Sequence, residues 1–272
     1  LFSLAEVAII GMITVVVMTF YLPPKVFRWL TTRKGIMREV PITIERVLYS
    51  LWALSFFLFF SLIFFCPYAI FHIIFLSHSK KCRHFFHRVL QEASRFVIYR
   101  VPGVKYEYIN NVGETLDKPA VIICNHQSHL DVMCLLMMSP KIVILTNDWV
   151  WNNPFYGAII RAAEFYPISD GIDKNTKRLK EKKKNKYSVV VFPEGTRERE
   201  RDIMRFHQGA FNLAKVLQLD ILPIMIHGLV DVLPKRDFML RRGKITLEVH
   251  KRMPADEIQK CEVMSLTKIW HK

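Results

Sequence analysis

No C-x-x-C pair occurs in this chain, and its five cysteines (Cys66, Cys82, Cys124, Cys134 and Cys261) are odd in number and widely spaced. That pattern argues against a disulfide framework and against structural zinc. The thiols read as buried, free and in a reducing compartment. Acid is scarce beside base: 24 Asp and Glu face 39 Lys and Arg, a formal net charge of +15. No internal repeat is present, which excludes a repeat architecture. An initiator methionine is also missing. An apolar run starts at once from Leu1, so the chain reads as a fragment of a longer protein, with a signal peptide left undecided.

What is present is a chain of 272 residues, 51% hydrophobic and 12% aromatic, which rules out a disordered or collagen-like protein and allows one or two domains. The charge is uneven. Residues 1–79 hold 6 basic and 3 acidic side chains, whereas residues 80–272 hold 33 and 21. A basic body behind an apolar segment suits an anionic membrane surface at least as well as nucleic acid. No nucleic-acid motif accompanies the lysines.

Two segments read as membrane-embedded. Val7 to Leu22 is uncharged and is expected to stop at Pro23-Pro24, before Lys25 and Arg28. Leu48 to Leu76 carries no formal charge and eight Phe over 29 residues. As one straight helix it would be about 43 Å long against a hydrocarbon core of about 30 Å. Pro67 predicts a kink or break in it. Both flanks are basic, with Lys25, Arg28, Arg33, Lys34, Arg38 and Arg46 before it and Lys80, Lys81, Arg83 and Arg88 after. Positive charge prefers the cytoplasmic side. A kinked hairpin within one leaflet satisfies both flanks, and a tilted single span satisfies one. The expected division is a membrane helix at 1–30, a basic linker with a membrane helix or hairpin at 31–79, and a catalytic domain at 80–272.

Residues 80–100 show helical spacing, with Phe85, Val89, Leu90, Phe96 and Val97 expected on the buried or membrane-facing side before Pro102-Gly103 ends the helix. Strand patterns then follow at 104–109, 120–124, 142–145, 165–168, 188–192, 221–226 and 244–249. Helical patterns fit 128–138, 154–163 and 209–218. The alternation predicts an α/β fold, a sheet flanked by helices and preceded by N-terminal membrane helices. The run 173–186, with eight Lys or Arg and two acids, reads as a solvated helix or loop, or as a basic patch facing a membrane.

Two places could carry chemistry. The strand 120–124 ends at Asn125-His126, and a helix starts near Ser128, its natural N-cap. Strand ends that lead into helices are where α/β sheets place sites. His126 and Asp131 are five apart and could not share one helix face. With His126 in the preceding turn, the carboxylate reaches the ring. An Asp on one imidazole nitrogen leaves the other as a base near neutral pH. With no Ser or Cys nucleophile beside it, direct activation of a substrate hydroxyl is the fitting role. His129 is expected on or near the helix. A His126/His129 zinc pair lacks supporting ligands. Backbone N–H groups at Gln127–His129 are candidate oxyanion donors.

The second place is SVVVFPEGTRERE, where an apolar strand breaks at Pro193 and Gly195 permits a tight turn. Glu194 and Arg197 project from it, and a guanidinium beside backbone N–H groups suits an anion.

Together, NHQSHLD and FPEGTR resemble the two signature blocks of the glycerolipid acyltransferases, the 1-acyl-glycerol-3-phosphate acyltransferase family, with its N-H-x4-D and F-P-E-G-T-R pattern. FHQGAFNLA (206–214), ILPIMIHG (221–228) and LPKRDFMLRRGKITLEV (233–249) extend the resemblance over about residues 80–255. It implies a membrane-bound O-acyltransferase with a mixed sheet flanked by helices. The acyl group would pass from acyl-CoA or acyl carrier protein to the hydroxyl of a lysolipid, 1-acylglycerol-3-phosphate above all, in phospholipid biosynthesis. His126 would be the general base and Asp131 its orienting partner, with Glu194, Gly195, Thr196 and Arg197 binding the phosphorylated acceptor. No metal or redox cofactor is implied. Partners would be membrane lipids and the two substrates, with the catalytic domain on the cytoplasmic face.

One block departs. Where the family shows an Arg that contacts the acceptor phosphate, RAAEFYPISDG (161–171) offers Ser169 or Asp170, and LTNDWVWNNPFYG (145–157) lacks an upstream Lys. Arg161 or the 174–186 lysines are the available substitutes. An acceptor without a phosphate monoester, such as an aminoacyl lipid or a glycolipid, therefore stays open. Residues 1–30 separately resemble the last span of a multi-helix lipid exporter, although an ordinary anchor helix explains them equally. A non-catalytic membrane-binding tail of such a transporter is the remaining alternative, and intact His126, Asp131, Glu194 and Arg197 argue against it.

Overall fold

The computed structural model describes residues 4–33, 36–37, 42–60, 63, 66–76, 79–101, 103–154, 157–195, 205–233 and 239–269. The chain divides into two compact units, Leu1–Trp52 and Ala53–Lys272.

In the first unit, helices α1 (Leu4–Phe20) and α2 (Leu22–Thr31) are followed by the two-residue strands β1 (Thr32–Arg33) and β2 (Ile36–Met37), an antiparallel pair, and by the start of α3 (Ile44–Phe60). Helical backbone continues past the expected stop at Pro23-Pro24. Tyr21 keeps helical angles and donates to Val17 O at 3.0 Å, and the prolines fall in the first turn of α2. There a missing N–H costs nothing and the fixed φ is already helical. Ile9–Thr31 is the one helical stretch among the described residues that is long and apolar enough to cross a membrane, by length and composition.

In the second unit, α4 (Cys66–Phe71) begins one residue before Pro67, again in a first turn, and passes into a π-helical turn at His72–Leu76. Pro67 itself lies in helical backbone, and residues 61–62 and 64–65 of the long apolar run, where a break ahead of it would fall, lie outside the described residues. Both α4 and the π turn pack against α8 (Gly157–Ala162), so this compact unit starts upstream of Lys80.

Helix α5 (Lys80–Arg100) packs on α6 (Leu130–Leu136) and on strand β3 (Val104–Ile109). The face it buries in the fold is a second one, and the apolar face read from spacing is left partly outward. Phe86, His87, Gln91, Ser94 and Ile98 are buried, whereas Phe85 and Phe96 are exposed. The polar members of that face have partners to reach: Gln91 Nε2 donates to Met137 O at 3.2 Å, and Ser94 Oγ to Leu90 O at 2.8 Å. Apolar spacing alone could not register those bonds.

The core is a seven-stranded mixed sheet of order β3-β9-β8-β4-β7-β5-β6. Its further strands are β4 (Ala120–Cys124), β5 (Ile142–Thr146), β6 (Tyr166–Pro167), β7 (Ser188–Val191), β8 (Asp220–His227) and β9 (Gly243–Val249). β8, β4, β7, β5 and β6 are parallel, and β9 runs antiparallel to β8 with β3 parallel to it. These strands coincide with the predicted ones to within one or two residues. β4 is buried along its whole length between β7 and β8, which is why its sequence is uniformly apolar. Helices α7 (Asp148–Trp151), α8, α9 (Gly171–Lys184) and α10 (Gly209–Leu217) fill the crossovers, and α10 buries Ala210, Phe211, Leu213, Ala214 and Leu217. After β8, Gly228 turns the chain at φ +84°, and a Cβ there would sit 1.9 Å from Lys244 O, so only glycine fits. Helices α11 (Leu229–Val232), α12 (Ala255–Lys260) and α13 (Val263–Ile269) complete the unit.

Candidate active site

The parallel strands β4 and β7 end side by side, and both sequence-predicted site segments leave from those ends. Asn125, the first residue past β4, is 3% exposed. Its side chain donates to Ile226 O and accepts from Ile226 N–H, both at 2.8 Å. That reciprocal pair ties the turn to β8 and fixes where His126 emerges. Nothing in spacing alone assigned Asn125 a role; its place beside His126 was the available signal.

His126 Nδ1 lies 2.8 Å from Asp131 Oδ2. The same carboxylate oxygen accepts the N–H groups of Gln127 at 2.7 Å and Ser128 at 2.8 Å. Asp131 is fully buried, while the His126 side chain keeps 20% exposure. A carboxylate that only accepts requires the Nδ1–H tautomer of a neutral ring, which leaves the Nε2 lone pair as the basic position. The ring stacks on Phe192 with centroids 4.2 Å apart and planes 24° off parallel. Phe192 immediately follows β7, so the second motif supplies a wall for the base of the first.

The motifs also join through the backbone. Glu194, 3% exposed, accepts His126 N–H on Oε1 at 3.1 Å. Gly195 follows at φ +69°, closing a turn in which its N–H donates to Phe192 O at 3.1 Å. A Cβ at Gly195 would stand 3.3 Å from the His207 ring, and His207 N–H donates to Pro193 O at 2.8 Å. Segment 206–214 is thus brought against the Pro-Glu-Gly turn. Thr196 and Arg197, expected to bind the acceptor, lie outside the described residues.

Two expectations need correcting. The Gln127 and Ser128 N–H groups, candidates for an oxyanion hole, are already given to Asp131. Ser128 is also not the dominant cap. Its hydroxyl donates to Leu233 O at 2.9 Å and meets Leu130 N–H only at 3.4 Å, and α6 starts at Leu130. His129 is exposed and faces the edge of Trp149, with centroids 6.1 Å apart, rather than joining His126. Among the described residues no group of three His, Cys, Asp or Glu side chains could hold a metal ion.

In the divergent block, Ser169 Oγ donates to Asp148 and Asp170 pairs with Lys174 at 2.7 Å and with Arg178. Those two cations hold the Asp170 carboxyl below its ordinary range. Arg161 Nη1 donates to Trp151 O at 2.7 Å. Lys183 caps Leu217 O at 2.7 Å, and Lys182 is buried against Glu164. Helix α9 is therefore not merely a solvated run, because several of its lysines hold the fold together.

The sequence model of the family described as Acyltransferase matches residues 103–227, a stretch that contains both motifs. The match supports a glycerolipid acyltransferase family for that stretch. A chloroplastic 1-acyl-sn-glycerol-3-phosphate acyltransferase of Arabidopsis thaliana, LPAT1, is 26% identical over 186 residues, 66% of this chain and 51% of that one. The 1-acyl-sn-glycerol-3-phosphate acyltransferase of Saccharomyces cerevisiae is 28% identical over 154 residues, 54% of this chain and 51% of that one. This chain spans about half the length of the curated relatives it matches. The crystal structure of a 1-acyl-sn-glycerophosphate acyltransferase, PlsC, from Thermotoga maritima aligns with a TM-score of 0.66 at 19% identity, covering 84% of this chain and 96% of that one. The likeness establishes a shared fold, a mixed sheet flanked by helices.

Proposed function

We propose that this glycerolipid acyltransferase domain transfers a fatty acyl group from a thioester donor, acyl-CoA or acyl carrier protein, to the free hydroxyl of 1-acylglycerol-3-phosphate in phospholipid biosynthesis. The observation that carries the reading is the 2.8 Å His126 Nδ1–Asp131 Oδ2 contact at the open end of β4, with Glu194 of the second motif holding the His126 backbone. His126 Nε2 takes the hydroxyl proton as the oxygen attacks the thioester carbonyl. Asp131 stabilises the imidazolium that forms. The tetrahedral intermediate collapses, the C–S bond breaks, and the departing sulfur receives the proton from Nε2. Oxyanion donors come from groups other than the Gln127 and Ser128 N–H. Thr196 and Arg197 bind the acceptor phosphate beside Glu194 and Gly195. The Ile9–Thr31 helix anchors the protein in a membrane, with the catalytic domain on the cytoplasmic face, where the basic flanks belong.

A second reading rests on the divergent block. Where a phosphate-binding cation would be expected, Ser169 is bonded to Asp148, and Asp170 brings a carboxylate already shared by Lys174 and Arg178. That favours an acceptor without a phosphate monoester, such as an aminoacyl lipid or a glycolipid. The deciding experiment offers membranes containing the protein a panel of lysolipids with each donor. Acylation of lysophosphatidic acid supports the first reading. Inert lysophosphatidic acid beside an acylated neutral or zwitterionic lysolipid supports the second, and no transfer to any acceptor overturns both.

A further inference from the structure

The parallel strands have a second end, and it is lined by cations. At the N-terminal ends of β5 and β7 lies a cavity of about 270 Å³ bordered by Lys80, Arg83, Lys141 and Lys182, against the acids Glu164 and Glu181. β5 begins one residue after Lys141 and ends toward the His126 side. Its five residues, at about 3.3 Å each, separate the cavity from the catalytic end by roughly 16 Å.

The balance of charge there is unfavourable without an anion. Glu164 serves two cations at once, Lys182 and, at 3.5 Å, Arg83. Lys182 is only 7% exposed. Among the described residues, Lys80 and Lys141 have no ion pair. The 21-residue helix α5 places Lys80, Lys81 and Arg83 at its start, has no acid in its first turn, and gains no side-chain cap from Ser79. Cations at the positive end of a helix dipole repel it, a local conflict of the kind that binding sites preserve.

An adjoining cavity of about 350 Å³ shares Arg83 and Glu164 and is bordered by His72. His72 is 1% exposed, and at least one of its ring nitrogens lacks a hydrogen-bond partner among the described residues. The same segment turns apolar side chains outward, with Phe71 at 50%, Ile74 at 58% and Phe75 at 65% exposure. A cationic cavity edged by exposed hydrocarbon fits a ligand with both characters.

We propose that this edge of the sheet binds the phosphate headgroup of an anionic phospholipid, with Lys80, Arg83 and Lys141 meeting the phosphate and the apolar 70–75 surface meeting its chains. The site is separate from the acyl-transfer centre and does not depend on the reaction assigned to it. The test uses the full chain in phosphatidylcholine nanodiscs, titrated with dihexanoylphosphatidylglycerol, dihexanoylphosphatidylcholine or inorganic phosphate. Hydrogen–deuterium exchange of residues 79–84 is the readout. The anionic lipid should protect this segment, and Lys80→Gln/Lys141→Gln should weaken that protection at least about tenfold, as loss of charge-assisted hydrogen bonds implies. Lys251→Gln, an exposed control elsewhere, should leave it intact. Equal protection by phosphatidylcholine, or unchanged affinity in the double variant, overturns the site. Equal protection by inorganic phosphate overturns the lipid as its ligand. The substituted lysines are exposed or half-buried, and an unchanged melting temperature in the double variant confirms that a loss of protection is not unfolding.

Discussion

The two ends of one parallel sheet use charge in opposite ways. At the C-terminal ends of β4 and β7, the polar groups around His126 are tightly assigned. One oxygen of a buried carboxylate takes three hydrogen bonds, and the imidazole it orients stays partly open to solvent. At the N-terminal end, charges are many and mostly structural. Arg252 joins Glu114 at 2.7 Å to Asp220 at 3.3 Å, Lys118 reaches Asp220 at 2.7 Å, and the Lys182–Glu164–Arg83 chain lies beside the basic cavity. Strand polarity explains the division. The carboxyl ends of parallel strands splay into loops that can present groups to a substrate, while the opposite ends are where crossovers return and must be fastened.

The sharpest way to break this contrast is Asp131→Asn. The amide cannot accept from His126 Nδ1–H in the same way, so kcat should fall by roughly 10³-fold while the melting temperature changes little. A comparable loss of stability with little loss of turnover would make Asp131 a fold residue like those at the other end. Arg252→Ala should do the reverse. It removes the cation that Glu114 and Asp220 share, leaving Asp220, 4% exposed, to Lys118 alone, and should cost about 3 kcal/mol in denaturant titrations, with kcat preserved in the folded fraction. The hydrogen bonds from Arg252 hold Glu114 below the ordinary carboxylate range. Part of the stabilisation is therefore present above the unfolded pKa and lost as pH falls through the folded one, so wild type and variant should converge in acid.

His87 gives a smaller effect with a defined pH window. It is 2% exposed, edge-on to Tyr187 at 5.1 Å, and its Nε2 has no hydrogen-bond partner among the described residues. Burial, with Lys182 nearby, pushes its pKa down to about 3. The ring is neutral in the fold, whereas the unfolded chain takes up a proton below about pH 6.5. Stability should therefore be full above that pH and decline toward pH 3, by about 2 kcal/mol at pH 5. His87→Leu should flatten that part of the acid limb in thermal melts. The smallest expected effect is Gly195→Ala, about 1 kcal/mol from a side chain at positive φ, with pressure on His207. A neutral or stabilising result would show that the Pro-Glu-Gly turn can relax.

The two ends also differ in how they could be read from sequence. His126 and Asp131 are five residues apart, so one strand-end turn brings them together and the sequence shows it. Glu194 is 68 residues away yet was legible, because an apolar strand breaking at Phe192-Pro193 marks a second strand end. The hydrogen bond that joins the motifs was not legible, nor was the reciprocal Asn125–Ile226 pair, since both depend on β4 lying between β7 and β8. Short apolar runs located the strands but carry no sheet order. On α5 the same pattern marked an apolar face but not the polar one that the fold buries, because Gln91 is held inside by Met137 O, a partner that spacing cannot display. The basic cavity draws on segments 80–84 and 181–187 and on residues 141 and 164, which have nothing in common until the sheet is assembled.

The central claim is that His126 is the base for acyl transfer. It is tested most directly by comparing purified wild-type protein with His126→Ala in transfer of a thioester-bound acyl group to lysophosphatidic acid, or to whichever lysolipid the acceptor panel selects. The account predicts a loss of at least roughly 10²-fold in kcat with unchanged thermal stability. Wild-type turnover in a folded His126→Ala protein would contradict it.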